Sequence, residues 1–132
     1  MKKAIYTLLC TVLLASCQKA DDNGDLGGFW KLLQIEELGK DTIIDKSNED
    51  CFWAIQLRMI TANTERGVIA KGRFQHVGDS LFIQMIQKPT DCRGVGMYNP
   101  ENERFGVNKL TGKRMILQSD EIRLTFRKFW FP

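Results

Sequence analysis

The side chains that could perform acid–base chemistry in this sequence are few and lack partners. His76 is the only histidine, and the turn signal Val77-Gly78-Asp79 follows it. A histidine base needs a group that orients it, and no motif supplies one. The acidic pairs Glu36-Glu37 and Glu49-Asp50 are sequence neighbours, which point to opposite faces of a strand. We therefore expect no catalytic site and no enzyme activity.

The composition excludes several classes of binding protein. The chain has 132 residues, enough for one domain, and a net charge of only +3. A nucleic-acid-binding domain usually carries a larger basic excess. A single histidine argues against a multi-histidine metal site, and no glycine-rich phosphate loop is present. We expect no metal, no cofactor and no nucleic-acid partner.

A different chemistry is indicated at the N-terminus, where Cys17 follows an apolar segment. Lys2 and Lys3 precede an apolar run over residues 4–15, which is too short to span a bilayer but has the length of a secretory signal. The sequence Leu14-Ala15-Ser16-Cys17 resembles the lipobox of bacterial lipoproteins, in which a diacylglycerol is attached to the cysteine and the chain is cut before it. The resemblance implies a signal peptide over 1–16 and a lipoprotein anchored in the bilayer through acyl chains, such as palmitate, on Cys17.

The residues after Cys17 predict a tether that separates the anchor from the folded domain. Residues 17–26 are polar and acidic, which favours a flexible segment, and the domain is expected over 27–132. Lys19 followed by Asp21-Asp22 resembles the export signal of Bacteroidetes-type lipoproteins, although a solvated spacer explains it equally well. We expect an outer-membrane location in the cell envelope, with the membrane face left open.

Two further cysteines, Cys51 and Cys92, lie in the predicted domain. An oxidising compartment outside the cytoplasm favours a disulfide between them. The predicted strand order opposes it, because Cys51 begins one strand and Cys92 follows another that ends far from it. The alternatives are therefore a disulfide and two separate buried thiols.

Most of the domain alternates between apolar and polar residues with a period of two, which predicts half-buried strands. Short connections such as Gly78-Asp79 and Ser119-Asp120 are typical of hairpins between antiparallel neighbours. The regions 41–50 and 99–103 are expected to form turns or a short helix, and Gly94–Tyr98 is a candidate eighth strand. The seven predicted strands are Phe29–Leu38, Cys51–Ile60, Gly67–Val77, Ser80–Gln87, Phe105–Leu110, Arg114–Gln118 and Glu121–Phe129.

The predicted fold class is all-β, an up-and-down antiparallel meander of seven or eight strands that closes into a barrel. Closure buries the apolar face and removes exposed strand edges; an open β-sandwich of the same strands is the alternative. Acidic residues predominate in 17–66 and basic residues in 101–132. We expect closure to bring opposite charges together, and an anion-binding patch is the alternative.

The start of the first strand, Gly28-Phe29-Trp30, resembles the Gly-x-Trp signature of lipocalins and related calycins. In that family a basic residue of the last strand packs over the tryptophan, and Arg127 or Lys128 matches it here. The chain as a whole resembles the small lipocalin-like lipoproteins of Bacteroidetes-type bacteria. The resemblance implies a lipocalin-like barrel in which Trp30 closes one end, while Trp53 lies nearer the open end and tolerates truncation better.

Two functions are consistent with these features. The first is binding of a small apolar or amphipathic ligand inside the barrel. The second is interaction with an envelope protein, or its inhibition, through the loops of the barrel. The residues expected to line the interior are Trp53, Ile55, Leu57, Phe74, Ile83, Met85, Leu117 and Leu124.

Overall fold

A computed structural model describes residues 23–87, 92–99 and 101–129 of the chain. The predicted signal peptide, the lipidation site Cys17 and most of the predicted tether lie outside the described residues. None of the described residues belongs to a helix long and apolar enough to cross a membrane.

Nine strands follow one another in the described part of the chain. They are β1 (Gly28–Glu37), β2 (Thr42–Asp45), β3 (Phe52–Gln56), β4 (Met59–Thr64), β5 (Gly67–Val77), β6 (Ser80–Gln87), β7 (Asn102–Leu110), β8 (Arg114–Gln118) and β9 (Ile122–Lys128).

Eight of these strands form a closed antiparallel barrel, which confirms the predicted fold and excludes the open sandwich. Strands β3 to β9 pair in sequence order, and β9 pairs with β1, with Trp30 opposite Lys128 and Glu37 opposite Ile122. The other edge of β1 is divided between two partners. Its first half pairs with β3 and its second half with β2, which is the extra strand.

The barrel core consists of the inward-facing residues of every barrel strand. In β9, for example, Ile122, Leu124 and Phe126 are buried, whereas Arg123, Thr125 and Arg127 are not. An interior bounded by eight strands is just wide enough to be filled by side chains. The alternation predicted from the sequence is therefore the feature that builds the core.

The two ends of the barrel, named here the base and the mouth, carry different connections. The base holds the β3–β4, β5–β6 and β7–β8 turns, and the mouth holds the loops after β1, β2, β4, β6 and β8. Each end also receives a short 3-10 helix. The base helix is Gly24–Leu26 and the mouth helix is Arg93–Val95.

Several predicted boundaries require correction. The region 41–50 contains β2, and the predicted strand Cys51–Ile60 is two strands joined by a tight turn at Leu57, where φ is +54°. The segment Gly94–Tyr98 is not a strand, because it begins within the mouth helix and continues as irregular chain. The end of the predicted tether also belongs to the folded part, since Leu26 is buried at the base.

Candidate functional site

Most of the residues predicted to line a ligand cavity lie in the barrel core. Trp53, Ile55, Leu117 and Leu124 have no exposed surface. A void that water could enter would expose the side chains around it, so the interior at these positions is filled. Ile83, Met85 and Phe74 are also buried, with at most 7% exposure.

Leu57 lies outside the barrel interior, and Trp53 lies in the interior but not beside the open space that the sequence led us to expect. Leu57 is 57% exposed, because it lies in the β3–β4 turn and not in a strand. Trp53 is completely buried and stands opposite Trp30 in the β1–β3 pairing. Its ring contacts Phe126 at 4.8 Å and Phe105 at 6.1 Å between centroids. With both indoles fully buried, the structure gives no reason for Trp53 to tolerate truncation better than Trp30.

The mouth is closed by the segment that contains the mouth helix. Val95 and Met97 are buried, and the indole nitrogen of Trp53 donates a 2.7 Å hydrogen bond to the carbonyl oxygen of Val95. At Gly96, where φ is +85°, an added Cβ would stand 2.9 Å from a Leu124 methyl carbon. The segment therefore packs directly on the core and covers the mouth.

Glu103 binds the C-terminal end of this segment through Asn99. Its carboxylate accepts hydrogen bonds from the backbone nitrogen of Asn99 at 2.7 Å and from the Asn99 side chain at 3.3 Å. Burial raises the pKa of Glu103, and the nearby Glu121 charge adds to this, whereas the hydrogen bonds from Asn99 oppose it. Glu103 is the one buried charged residue in the described part of the chain.

Cys51 and Cys92 are both buried near the mouth and are not joined by a disulfide. The Cys51 sulfur approaches the carbonyl oxygen of Gly94 at 3.9 Å. Burial raises the pKa of the Cys51 thiol to about 11, so the thiol is protonated at neutral pH. The thiol borders a crevice of about 480 Å³ between the mouth helix and the β4–β5 turn.

The base is organised around Trp30, which the sequence singled out together with Gly28. The Lys128 ammonium lies 4.3 Å from the Trp30 ring centroid, and Lys128 also donates to the carbonyl oxygens of Asp25 and Gly27. Arg127, the other candidate, points outward and is exposed. Burial lowers the pKa of Lys128, and the Asp25 charge opposes that shift. Gly28 has a φ of +119° and leaves room for the Lys128 side chain.

A groove of about 1280 Å³ begins at the β3–β4 turn and crosses β5, β6 and the start of β7. We call it the arginine groove, because the exposed residues Arg58, Arg73 and Arg104 line it. Arg104 lies over the Phe82 ring at 5.4 Å. The exposed apolar side chains Leu57, Val77 and Phe82 also contribute to its lining.

No acidic side chain in the lining of the arginine groove is exposed, since Glu103 is buried. The groove therefore offers positive charge beside apolar surface, which suits an anionic amphipathic molecule. Of the predicted lining residues, Leu57, Phe74 and Ile83 reach it.

The sequence did not reveal this groove, because its three arginines come from separate elements: Arg58 from the β3–β4 turn, Arg73 from β5 and Arg104 from β7. Alternation places Arg73 on the outer face, but alternation carries no information about which outward residues of different strands meet. That information resides in the strand register, which brings Met59 opposite Arg73 and Phe82 opposite Arg104.

His76 lies at the end of β5, is exposed and borders the arginine groove. No hydrogen bond from another described residue orients it. Among the described residues, no group of three or more histidine, cysteine, aspartate or glutamate side chains could hold a metal ion.

Comparison with known proteins gives a consistent result. The sequence model of the lipocalin-like domain family matches residues 12–129. A crystal structure of a lipocalin-like protein from Bacteroides uniformis superposes with a TM-score of 0.65 at 21% identity, covering 80% of this chain and 100% of that one. An uncharacterized protein from Bacteroides eggerthii superposes with a TM-score of 0.61 at 17% identity, covering 78% and 98%. No curated protein matches this chain in sequence.

Proposed function

Because this chain belongs to the lipocalin-like domain family, we propose that it is a binding protein of the cell envelope. A lipid on Cys17 anchors it in the outer membrane, and its ligand is a small amphipathic molecule that carries an anionic group. The fold supports ligand binding in general, and the nature of the ligand is inferred from the groove.

The observation that carries this proposal is the composition of the arginine groove. Guanidinium groups form strong charge-assisted hydrogen bonds with carboxylates and phosphates. Leu57, Val77 and Phe82 offer apolar surface to the remainder of such a ligand. The filled core leaves no comparable space at the positions first expected to bind it.

No catalysis is part of the proposal. A general base must be oriented by a second group, and among the described residues His76 has none. The Cys51 thiol is buried and its pKa is raised, which makes it a poor nucleophile at neutral pH.

The ligand proposal is tested by calorimetric titration of the full-length chain in nanodiscs of neutral lipid. The probes are hexyl phosphate and hexanol, which share an apolar chain and differ in charge. We expect hexyl phosphate to bind and hexanol to bind much more weakly. Arg104→Gln should weaken hexyl phosphate binding by about 10- to 100-fold, since a hydrogen bond to a charged group contributes about 1.5–3 kcal/mol.

The matched control for this titration is Ile43→Ser. Ile43 is 63% exposed on β2 and does not line the groove. Its replacement should leave the affinity unchanged. Equal affinities for the two probes, or an unaffected Arg104→Gln variant, would show that the groove is not the binding site.

The anchor proposal has a separate test. Mass spectrometry of the chain purified from membranes should show acyl mass on Cys17, and Cys17→Ala should yield uncleaved or unlipidated protein. A Cys17→Ala variant that stays in the membrane with unchanged mass would contradict the anchor.

One observation favours a protein partner as the second candidate function. Ile43, Val68 and Ile86 are between 48% and 63% exposed, and all three lie toward the mouth. Contiguous exposed apolar surface marks contacts with other proteins, and a partner that binds at the mouth would cover these side chains together. Cross-linking through a photoreactive residue at position 68 would give a discrete adduct in cells under this alternative and none under ligand binding alone.

A further inference from the structure

A row of outward-facing side chains crosses four strands near the base. Lys31 on β1 stands opposite Phe52 on β3 and opposite Arg127 on β9, and Arg127 stands opposite Arg114 on β8. We call Lys31, Arg127 and Arg114 the cation row. Directly opposite residues in an antiparallel sheet have Cβ atoms about 4.5–5.5 Å apart, and like charges at that distance destabilise the pairing. The fold alone therefore gives no reason for this arrangement.

No carboxylate in the described part of the chain forms an ion pair with the cation row. The ion pairs found there are Lys46–Glu49 and Arg123–Glu36, both away from the base. Asp25 is the acidic residue of the base helix, and its carboxylate lies near Gly112 in the β7–β8 turn. The cation row therefore presents positive charge that the described residues do not neutralise.

Aromatic side chains border the cation row. Phe52 and Phe129 pack edge to face with ring centroids 5.0 Å apart, and the backbone nitrogen of Phe129 donates to the carbonyl oxygen of Phe29. All three rings are partly exposed on the outer face. Basic residues beside aromatic rings form the composition with which proteins bind the interfacial region of anionic bilayers.

The position of the tether brings this surface close to a membrane. Asn23 lies at the base, where its side chain donates a 2.8 Å hydrogen bond to the carbonyl oxygen of Leu57. Only five residues separate Asn23 from Cys17, and the six Cα-to-Cα steps between them span about 20 Å when fully extended. A lipid on Cys17 would thus hold the base, and not the mouth, next to the bilayer.

We infer that the cation row docks on the phosphate headgroups of anionic lipids in the bilayer that holds the anchor. The base then faces the membrane and the mouth faces away from it. This inference rests on the proposed lipid on Cys17 and is independent of the arginine groove. The negative charge of the lipid surface also repels the mouth, because acidic residues predominate in its loops. They include Glu49, Asp50, Glu65, Asp120 and Glu121.

The test uses the full-length lipidated chain in vesicles of phosphatidylcholine, with or without phosphatidylglycerol. A thiol-reactive fluorophore is placed at Gly112→Cys in the β7–β8 turn or, as the matched control, at Asp120→Cys in the β8–β9 turn. Both positions are exposed, and the native Cys51 and Cys92 are buried. Lipids brominated near the headgroup quench a fluorophore that lies at the surface.

We expect quenching at position 112 in the anionic vesicles, less in the neutral vesicles and less at high salt. The fluorophore at position 120 should remain unquenched in both. Arg114→Gln and Arg127→Gln should each lower the ratio of docked to undocked protein about fivefold, the effect of one basic residue near an anionic surface.

Three outcomes would overturn the inference. They are equal quenching at position 112 in both kinds of vesicle, stronger quenching at position 120, and quenching unaffected by the arginine substitutions. Quenching that depends on protein concentration but not on lipid charge would instead indicate a contact between two copies of the chain. Flotation of the vesicles separates this failure from failure of the anchor, because protein without an anchor does not float with neutral vesicles.

Discussion

At both the base and the mouth of the barrel, a tryptophan indole forms a hydrogen bond with a short 3-10 helix that closes the core. At the base, the Trp30 indole donates a 2.8 Å hydrogen bond to Leu26, the last residue of the base helix. At the mouth, the Trp53 indole donates a 2.7 Å hydrogen bond to Val95, the last residue of the mouth helix. In both cases the accepting residue is buried, so each tryptophan fixes an apolar side chain across one end of the core.

The two ends differ in where the closing helix comes from. The base helix lies four residues before its tryptophan in sequence, whereas the mouth helix lies 42 residues after its own. The base can therefore form from local contacts. The mouth can close only after the chain from β4 to β6 has folded. The hydrogen bond from the Asn99 backbone to Glu103 then fixes the end of the mouth segment.

The charges on the outer face differ between the same two ends. Near the mouth, β1 and β9 place Glu36 opposite Arg123, and these residues form an ion pair of 2.8 Å. Near the base, the same strands place Lys31 opposite Arg127. The expectation that closure pairs opposite charges therefore holds in one half of the seam between β1 and β9 and fails in the other.

The largest effect is expected from removing either tryptophan. Trp30→Ala and Trp53→Ala should each lower the free energy of unfolding by about 3–5 kcal/mol, a large part of the total of about 5–15 kcal/mol for a small domain. Urea denaturation measures both. A much smaller loss at Trp53 would mean that the mouth is not closed as described.

Substitution by phenylalanine separates packing from hydrogen bonding at the two ends. Trp53→Phe leaves the Val95 carbonyl oxygen without its donor, and Trp30→Phe does the same to Leu26. An unsatisfied buried polar group costs about 1–3 kcal/mol. Trp30→Phe also weakens the contact with Lys128, because the cation–π attraction is strongest with tryptophan.

A destabilisation of comparable size is expected from a methyl group at the mouth. In Gly96→Ala the added Cβ meets Leu124 at 2.9 Å, and φ is +85°. Overpacking and left-handed backbone strain each cost about 1–3 kcal/mol. Gly24→Ala, the matched change in the base helix, has a φ of +59° and nothing within 4 Å. Gly24→Ala should therefore be destabilised by the backbone strain only. Equal thermal midpoints for the two variants would contradict the packing at Gly96.

The alternation of apolar and polar residues predicted the barrel correctly, because the inward positions of each strand repeat every second residue. It failed where the backbone departs from that pattern. The β3–β4 turn contains Leu57 at positive φ, a conformation that leucine rarely adopts. Without a glycine or proline signal there, two strands looked like one.

The mouth helix and the two charged surfaces were also missed by the sequence analysis, but the reason differs from that at the β3–β4 turn. Val95 and Met97 alternate as in a strand, but they are buried by long-range contacts with Trp53 and the core. The cation row and the arginine groove depend on which residues of different strands stand opposite each other. Register is set by turns and bulges, such as the shift between Leu32 and Gln34 in β1, and these leave little trace in a single sequence.

A pH-dependent difference is expected at the mouth. Burial raises the pKa of Glu103 above its ordinary value of 4.5, so the folded protein binds a proton there more tightly than the unfolded chain does. Protonation of Glu103 therefore stabilises the fold fully below pH 4.5, and this stabilisation is lost as the pH rises through the raised pKa. The Glu103→Gln variant lacks this dependence. The unfolding free energy of the native chain should therefore rise, relative to that of the variant, as the pH falls from 7 toward 4.5. A difference that is independent of pH would contradict the burial of this carboxylate.

The smallest effects compare the two halves of the seam. Arg123→Glu at the mouth places a like charge opposite Glu36 and should destabilise by about 0.2–1 kcal/mol. Arg127→Glu at the base places an opposite charge between Lys31 and Arg114 and should stabilise by a similar amount. Chemical denaturation at low salt resolves both signs. If Arg127→Glu destabilised the protein, the cation row would have a structural role and not only a binding role.

The pairing of β9 with β1 has a consequence for the kinetics of folding. Every other barrel contact joins strands that are close in sequence, whereas this one joins the first strand to the last. Contacts between distant segments form slowly, because a long loop of chain must be closed. During synthesis β1 is made first, so one edge of that strand stays unpaired until the residues of β9 have followed. The first barrel strand to be made is thus the last to have both of its edges paired.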